Sequence, residues 1–446
     1  MDKTTIKFWS GLNTIGGNIA EVRYNNDRVI FDFGRNYNPA DVLLTSAKGR
    51  GKKRVQDMLK LGILPKIDGI YSDSDLGENP FDIEAFQSSS LNTAILISHL
   101  HLDHIGSIDT IDEYLPIYMS CESKKMFEQL MLIGESPFRN LEHIFAVNAN
   151  DQIKVGEILI TAIPVDHDAH GSVSFLIETP DKKICYSGDL RMHGNSPHLN
   201  EKWMEIIKNK KVDLLLLEAT TFFPLNDTYR ENKPETFSEP DIPNEILNVV
   251  DNVNGFVFFN YYHRNLDRLF HLFSVAKKSN RKLVLEFPTA QIAATFFKDE
   301  DFKILKDNSD TDWKNQLTRK FQMIDVEQMN KNPELYLVQN SFENVLNLID
   351  YKRDDSIYIH SNGTPLGSFD PSYSSLLSFL ENNNIGVKYY NISTSGHATN
   401  EAILDIIDET SPKKLVIWHS LAPECVIPRN PNQLILRPLL DLWYEV

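Results

Sequence analysis

Cysteine is scarce: Cys121, Cys185 and Cys425 are the only ones in 446 residues. Three widely spaced thiols cannot build a disulfide framework, and they fit a reducing compartment, so a cytoplasmic chain is expected. Long apolar runs are missing too. None approaches the roughly 20 residues that a membrane-spanning helix needs, so no membrane partner is expected. The start, Met1-Asp2-Lys3-Thr4-Thr5, passes straight into a strand-like segment with no apolar leader, in keeping with that expectation. No repeat of fixed period and no low-complexity segment is visible. Basic charge is not in excess either: 45 Lys and Arg stand against 62 Asp and Glu, a net charge of −17. Phosphate contacts supply much of the affinity of nucleic-acid binders, so this balance lowers the expectation of a polynucleotide partner. It does not exclude one, because bound cations change the local field more than the sum does.

What is present is ordinary for a globular chain, 41% hydrophobic and 24% charged. The length allows two domains, or one large domain carrying an insertion. Residues 5–9, 18–24 and 28–34 read as strands, with a turn at Asn25-Asn26-Asp27. The stretch 36–88 is polar and irregular and holds a basic cluster, Lys48, Arg50, Lys52, Lys53 and Arg54. Beyond residue 91 the pattern alternates. It predicts a helix over 124–132, paired strands over 153–165 and 172–187, a short helix over 203–208 and a fully apolar strand over 212–217. Residues 222–243 mix proline and phenylalanine with charge and read as a loop and a domain crossing. Strand 255–259, helix 266–279 and strand 282–285 then predict βαβ units with a parallel sheet. Residues 299–335 resist placement, and strands return at 356–359, 387–391 and 414–418.

The densest chemical signal is Ser98-His99-Leu100-His101-Leu102-Asp103-His104-Ile105-Gly106, directly after the apolar run Thr93–Ile97. Histidine occurs only 13 times in the chain, and three fall within these few positions. A strand ending in His-x-His-x-Asp-His delivers nitrogen and oxygen donors into one small volume, the mixture that zinc takes, and the spacing suits two ions better than one. His167, Asp189 and His419 each follow an apolar strand, where several strand ends can converge. Taken singly each reads as a surface or capping residue. Beside the cluster, the ligand reading is the stronger one.

Asp32 in Phe31-Asp32-Phe33-Gly34, the His99–His104 motif, His167, and Asp189 in Ser187-Gly188-Asp189-Leu190-Arg191 resemble the ordered motif series of the metallo-β-lactamase superfamily. The later part resembles its β-CASP branch, which includes ribonuclease J. Glu218 in Leu217-Glu218-Ala219-Thr220-Thr221, His397 in Ser395-Gly396-His397-Ala398, and His419 in Trp418-His419-Ser420 match three motifs of that branch. Residues 259–268 resemble the start of its inserted domain, and 361–367 the loop of re-entry.

The resemblance implies an α/β protein, a metallo-β-lactamase αβ/βα sandwich with an inserted β-CASP α/β domain. The expected division is 1–218 for the first part of the sandwich, 219–360 for the insert and 361–446 for the return segment. By the same resemblance His99, His101 and His167 hold one zinc ion, Asp103, His104 and His419 hold the other, and Asp189 bridges them, with Mn2+ or Mg2+ as alternatives. Asp32 stands behind a ligand imidazole and orients it. The implied activity is hydrolysis of phosphodiester bonds in RNA, with single-stranded DNA as a further substrate, internally or from the 5′ end. His397 is the expected proton donor to the leaving oxygen, with Glu218 holding it; Asp103 is a less favoured proton shuttle. Ser361, Asn362, Gly363, His263 and Arg264 are the candidate substrate contacts. Ribonuclease J enzymes carry a further C-terminal domain that this sequence does not, so a homodimer or a partner subunit enters as an expectation. Two other readings stand beside this one. The first is a metallo-hydrolase of a smaller substrate, such as a cyclic nucleotide, lactone or thioester; the insert motifs argue against it. The second is a non-catalytic nucleic-acid-binding subunit; the filled ligand positions argue against that.

Overall fold

The computed structural model describes residues 3–36, 47–135, 141–224, 237–307, 311–367, 370–382 and 385–446. Parts of the polar stretch (37–46) and of the expected crossing (225–236) lie outside the described residues. The chain divides into two units, one of residues 1–192, 196–233 and 396–446, the other of 193–195 and 234–395.

The first unit is built on two seven-stranded sheets. One runs, edge to edge, Trp443–Glu445, Thr5–Ser10, Ile19–Tyr24, Asp27–Phe31, Asn92–Leu96, Ile117–Ser120 and Ile144–Val147. The other runs Leu434–Leu436, Lys414–Trp418, Leu214–Glu218, Lys183–Tyr186, Val173–Glu178, Ile158–Pro164 and Gln152–Val155. Their facing side chains form one core in which Phe8, Val22, Val29, Phe31 and Leu96 meet Ile160, Phe175, Ile184, Leu216 and Trp418. Leu214–Glu218 shows why its sequence is apolar throughout: every residue is buried. Because side chains alternate, Leu214 and Leu216 enter the inner core, while Leu215 and Leu217 meet Trp203, Ile207, Ile403 and Ile407 on the outer face. Those outer residues belong to helices Pro197–Lys210 and Asn400–Thr410. On the first sheet, helix Cys121–Leu132 packs over Ile117–Ser120 and Ile144–Val147. The result is the expected αβ/βα sandwich.

Several elements differ from expectation for local reasons. The helix predicted over 124–132 begins at Cys121, because Ser120 Oγ caps it by accepting from Ser123 N at 2.9 Å. The short helix over 203–208 extends to Pro197–Lys210, its proline in the first turn where a missing N–H costs nothing. The irregular stretch contains helices Arg54–Lys60 and Asp73–Leu76. Two members of its basic cluster are matched locally: Arg50 Nε donates to Asp57 at 2.8 Å and Arg54 pairs with Asp109 at 2.5 Å.

The second unit carries a seven-stranded sheet in the order Met323–Ile324, Lys303–Leu305, Lys282–Leu285, Tyr336–Gln339, Val257–Tyr261, Ile357–Ser361, Lys388–Asn391. All its pairings are parallel, as the βαβ pattern predicts. The stretch that resisted placement supplies the short edge strand Met323–Ile324, its neighbour Lys303–Leu305 and the helix Asp312–Thr318. The expected boundaries need correction. Ile357–Ser361 pairs with Val257–Tyr261 and with Lys388–Asn391, so the chain stays in this sheet past 361 and returns at 396. At the other end Ala219 and Thr220 still bond to His419, which keeps the first unit intact beyond 218.

Candidate metal centre

The donors converge because of strand direction. Asp27–Phe31 and Asn92–Leu96 are parallel neighbours, so Asp32 and the His99–His104 stretch emerge side by side. In the second sheet Lys183–Tyr186, Leu214–Glu218 and Lys414–Trp418 are mutually parallel, which brings Asp189, Glu218 and His419 to one edge. Ile158–Pro164 runs the same way, two antiparallel pairings removed, and adds His167. Carboxyl ends of strands are where open α/β sheets place their sites. Asp32 and His419 turn off their strands in the left-handed region, at φ 54° and 57°, a conformation that non-glycine residues hold only where their surroundings impose it.

Of the four groups of donors that come together among the described residues, two hold the expected ligands and the other two add His397 and Glu218. His99, His101 and His167 form one of the first two; Asp103, His104, Asp189 and His419 form the other. Asp189 Oδ2 lies 3.2 Å from His104 Nε2, 3.6 Å from His99 Nε2 and 3.9 Å from His167 Nε2, and so stands between the sets. Asp103 Oδ2 is 3.1 Å from His419 Nε2.

The remaining ring nitrogens are tied from behind. His104 Nδ1 is 2.8 Å from Asp32 Oδ2, which also accepts from Tyr186 Oη at 2.6 Å. His167 Nδ1 is 2.5 Å from the Gly396 carbonyl oxygen. His419 Nδ1 is 2.7 Å from Thr220 Oγ1. A carbonyl or carboxylate can only accept, so His104 and His167 carry a proton on Nδ1 and turn Nε2 toward Asp189. Nε2 of His99 and His104 and both carboxylate oxygens of Asp189 are buried with no hydrogen-bond partner among the described residues. Buried polar atoms are normally paired. Unpaired acceptors gathered around one carboxylate fit a divalent cation, and nitrogen with oxygen is a zinc-type donor set.

The electrostatics agree. Burial works to raise Asp189, but His419 and His104 hold it well below the usual carboxylate range. Burial works to lower His104, yet Asp189 and Asp103 push it well above its ordinary value. Burial, with His101 and His397 acting in the same sense, takes His167 down to about 4 against the pull of Asp168 and Asp189. The cluster is short of positive charge.

His397 sits beside this centre, Nδ1 3.8 Å from Asp189 Oδ2 and 3.3 Å from Glu218 Oε1. Burial opposes its protonation, but Glu218 and then Asp189 raise it to about 9. Glu218 is itself fixed, accepting from Leu190 N at 3.1 Å and Thr220 N at 3.0 Å.

All ten residues singled out for metal and proton chemistry, including Asp32, thus lie in the first unit. The five candidate substrate contacts lie in the second. Ser361 Oγ donates to Ile392 O at 2.6 Å, Asn362 Nδ2 donates to Thr394 O at 2.8 Å, and a Cβ on Gly363 would stand 2.0 Å from Asn260 Oδ1. These three serve the packing of that unit. Arg264 is buried with its guanidinium 5.5 Å from the Tyr262 ring centre, and the His263 ring lies tilted beside the same ring at 5.6 Å. Three contributors escape a reading of the sequence: Tyr186, Thr220 and Asp168. Each lies within three residues of a motif position, and that adjacency was the available signal.

Comparison with known proteins agrees with this geometry. Residues 86–232 match the family described as the beta-lactamase superfamily domain. Over 217 residues the chain is 25% identical to ribonuclease J of Pyrococcus abyssi, covering 47% of this chain and 44% of that protein. Over 430 residues it is 20% identical to ribonuclease J of Mycoplasma genitalium, covering 93% and 68%. It is 27% identical over 166 residues to an Integrator complex subunit 11 homolog of Dictyostelium discoideum, covering 32% and 22%. The match thus spans less than half the length of the Pyrococcus relative. A crystal structure of a protein of unknown function from Enterococcus faecalis superposes with a TM-score of 0.82 at 29% identity, covering 100% of both chains. Residues 86–232 are thus a beta-lactamase superfamily domain, and the similarity to ribonuclease J and Integrator subunit 11 proteins supports the resemblance to the metallo-β-lactamase and β-CASP motif series. No helix among the described residues is long and apolar enough to cross a membrane.

Proposed function

We propose that the chain is a metal-dependent phosphodiesterase that hydrolyses RNA, internally, from the 5′ end, or both. The observation that carries the reading is the pair of donor sets meeting at Asp189, with unpaired nitrogen and oxygen atoms turned inward. The similarity to proteins named ribonuclease J supports the choice of substrate. His99, His101 and His167 would hold one cation, Asp103, His104 and His419 the other, and Asp189 would serve both. Zinc suits this donor set, and the carboxylates would also accept Mn2+. Bound there, two divalent cations would supply hydroxide at neutral pH and offset negative charge on the phosphoryl oxygens.

The chain's own groups do the rest. Asp32, Thr220 and the Gly396 carbonyl fix the ring orientation of His104, His419 and His167. His397, steadied by Glu218, donates a proton to the departing oxygen. His263 and Arg264 are the proposed contacts to the polyanion from the second unit.

The test is incubation of protein reconstituted with Zn2+ or Mn2+ with 5′-labelled RNA and single-stranded DNA. Wild type is compared with Asp103→Ala and Asp189→Asn. Wild type cuts RNA, and both variants lose the activity. Cutting that survives Asp103→Ala belongs to a contaminant. Hydrolysis of a cyclic dinucleotide or an ester, with no polynucleotide cut, moves the assignment to a smaller substrate.

A further inference from the structure

Asp168 follows His167 in sequence and has no part in the scheme above. Its Oδ1 is buried, and no donor among the described residues bonds to it. That oxygen lies 3.3 Å from His167 Nε2 and 3.7 Å from His101 Nε2. The proton on His167 is on the far side of the ring, since Nδ1 faces the Gly396 carbonyl oxygen at 2.5 Å. His167 Nε2, whose hydrogen-bond partner is His101 Nδ1 at 3.2 Å, therefore carries no proton to offer the buried, unpartnered carboxylate oxygen that it faces. Two electron-rich atoms so placed repel unless a positive centre lies between them. Gly396 leaves the room for this arrangement, because a Cβ there would stand 2.4 Å from Asp168 Oδ1.

We propose that Asp168 is a further protein ligand of the cation that His99, His101 and His167 would hold. The proposal rests on the metal-centre reading above. It gives that cation a carboxylate of its own in addition to the one at Asp189. The extra negative charge strengthens the hold on a divalent ion, and the extra oxygen raises its coordination number.

The test uses the full chain with Zn2+ and Co2+ as probes. Zn2+ equivalents and affinities are measured by competition with a chromophoric chelator, for wild type, Asp168→Asn and Gly396→Ala. Visible spectra are recorded for the Co2+-loaded forms. Asp168→Asn keeps shape and removes charge, so the fold is retained. Gly396→Ala keeps every donor but displaces the carboxylate. The expected result is two Zn2+ equivalents in wild type, one of them bound at least tenfold more weakly in both variants. The Co2+ bands of Asp168→Asn should change in intensity and position as a ligand is lost. Wild-type affinity for both equivalents in Asp168→Asn overturns the proposal. Weakened binding with an unchanged Co2+ spectrum at saturation also overturns it, since Asp168 would then act only by positioning His167. A wild-type protein that binds no Zn2+ overturns the metal-centre reading itself, a result distinct from either.

Discussion

Glu218 Oε1 faces His397 Nδ1 at 3.3 Å while accepting the backbone N–H of Leu190 at 3.1 Å. Glu218 is thus anchored by the main chain on one side and holds an imidazole on the other. The strand Leu214–Glu218 ends at this residue, so the sheet itself sets the position of His397.

The pair has a kinetic consequence. His397→Ala removes the proposed proton donor and is expected to lower kcat by roughly 10²- to 10⁴-fold, the range of general acid catalysis. Glu218→Gln keeps the shape and loses the charge, and should lower kcat by a smaller factor, about tenfold. Neither residue is a proposed metal ligand, so Zn2+ content should stay at the wild-type level. Single-turnover cleavage of 5′-labelled RNA, with metal content measured on the same samples, checks this. Wild-type rates in His397→Ala would remove the residue from the reaction.

Asp32 is expected to matter for stability and for metal together. Its two oxygens accept from Ser98 N at 2.7 Å, Ser98 Oγ at 2.9 Å, Tyr186 Oη at 2.6 Å and His104 Nδ1 at 2.8 Å. Asp32→Ala strands these buried donors and should cost about 3 kcal/mol or more of unfolding free energy. Asp32→Asn keeps the volume but offers His104 a weaker acceptor, and cation affinity should fall roughly 10- to 100-fold. Denaturant midpoints and chelator competition give the two readouts. Asp32→Asn protein with wild-type affinity would show that His104 needs no such support.

Much of this centre is legible in the sequence for physical reasons. His99, His101, Asp103 and His104 lie on one turn after one strand, so their proximity is fixed by chain length alone. His167, Asp189 and His419 are readable because each closes an apolar strand, and parallel strands deliver their ends to one edge. What is hidden depends on side-chain direction or on distant pairing. Asp168 shows nothing in its spacing to say that it turns toward His101 rather than to solvent. Thr220 reaches His419 across 199 positions. Trp443–Glu445 pairs with Thr5–Ser10 from the far end of the chain, and three residues carry too little periodicity to announce a strand. The return expected at 361 falls too early for a related reason: a strand at 387–391 fits either unit, and only its pairing with Ile357–Ser361 decides.

Backbone approach at the metal centre yields a third expectation. Gly34 runs so close to Asp103 that a Cβ would lie 1.5 Å from the Asp103 carbonyl oxygen. The same oxygen accepts from Gly17 N at 2.9 Å, so it cannot yield without breaking that bond. Gly34→Ala should therefore displace the Asp103–His104 turn, with a loss of about 3 kcal/mol or more by overpacking. The cation at Asp103, His104 and His419 should be lost before the other. Zn2+ stoichiometry and the unfolding midpoint measure this. Two equivalents held at wild-type affinity would contradict it.

His360 gives the second unit an acid-sensitive point. The ring is buried at the end of Ile357–Ser361, and Nε2 lies 3.0 Å from the Pro365 carbonyl oxygen. Burial lowers its pKa from 6.5 to about 4, against the opposing effect of the Pro365 and Gly363 carbonyls. The sign follows from proton counting. Between pH 6.5 and about 4 the unfolded chain holds a proton on this ring that the folded chain does not, so stability falls as pH falls through that window. The full loss is on the order of 3 kcal/mol, and above the window the contribution is complete. His360→Gln, which cannot titrate, should flatten the slope of unfolding free energy between those limits. Urea melts of wild type and variant at half-unit pH steps decide it, and identical slopes would show that His360 is not the group responsible.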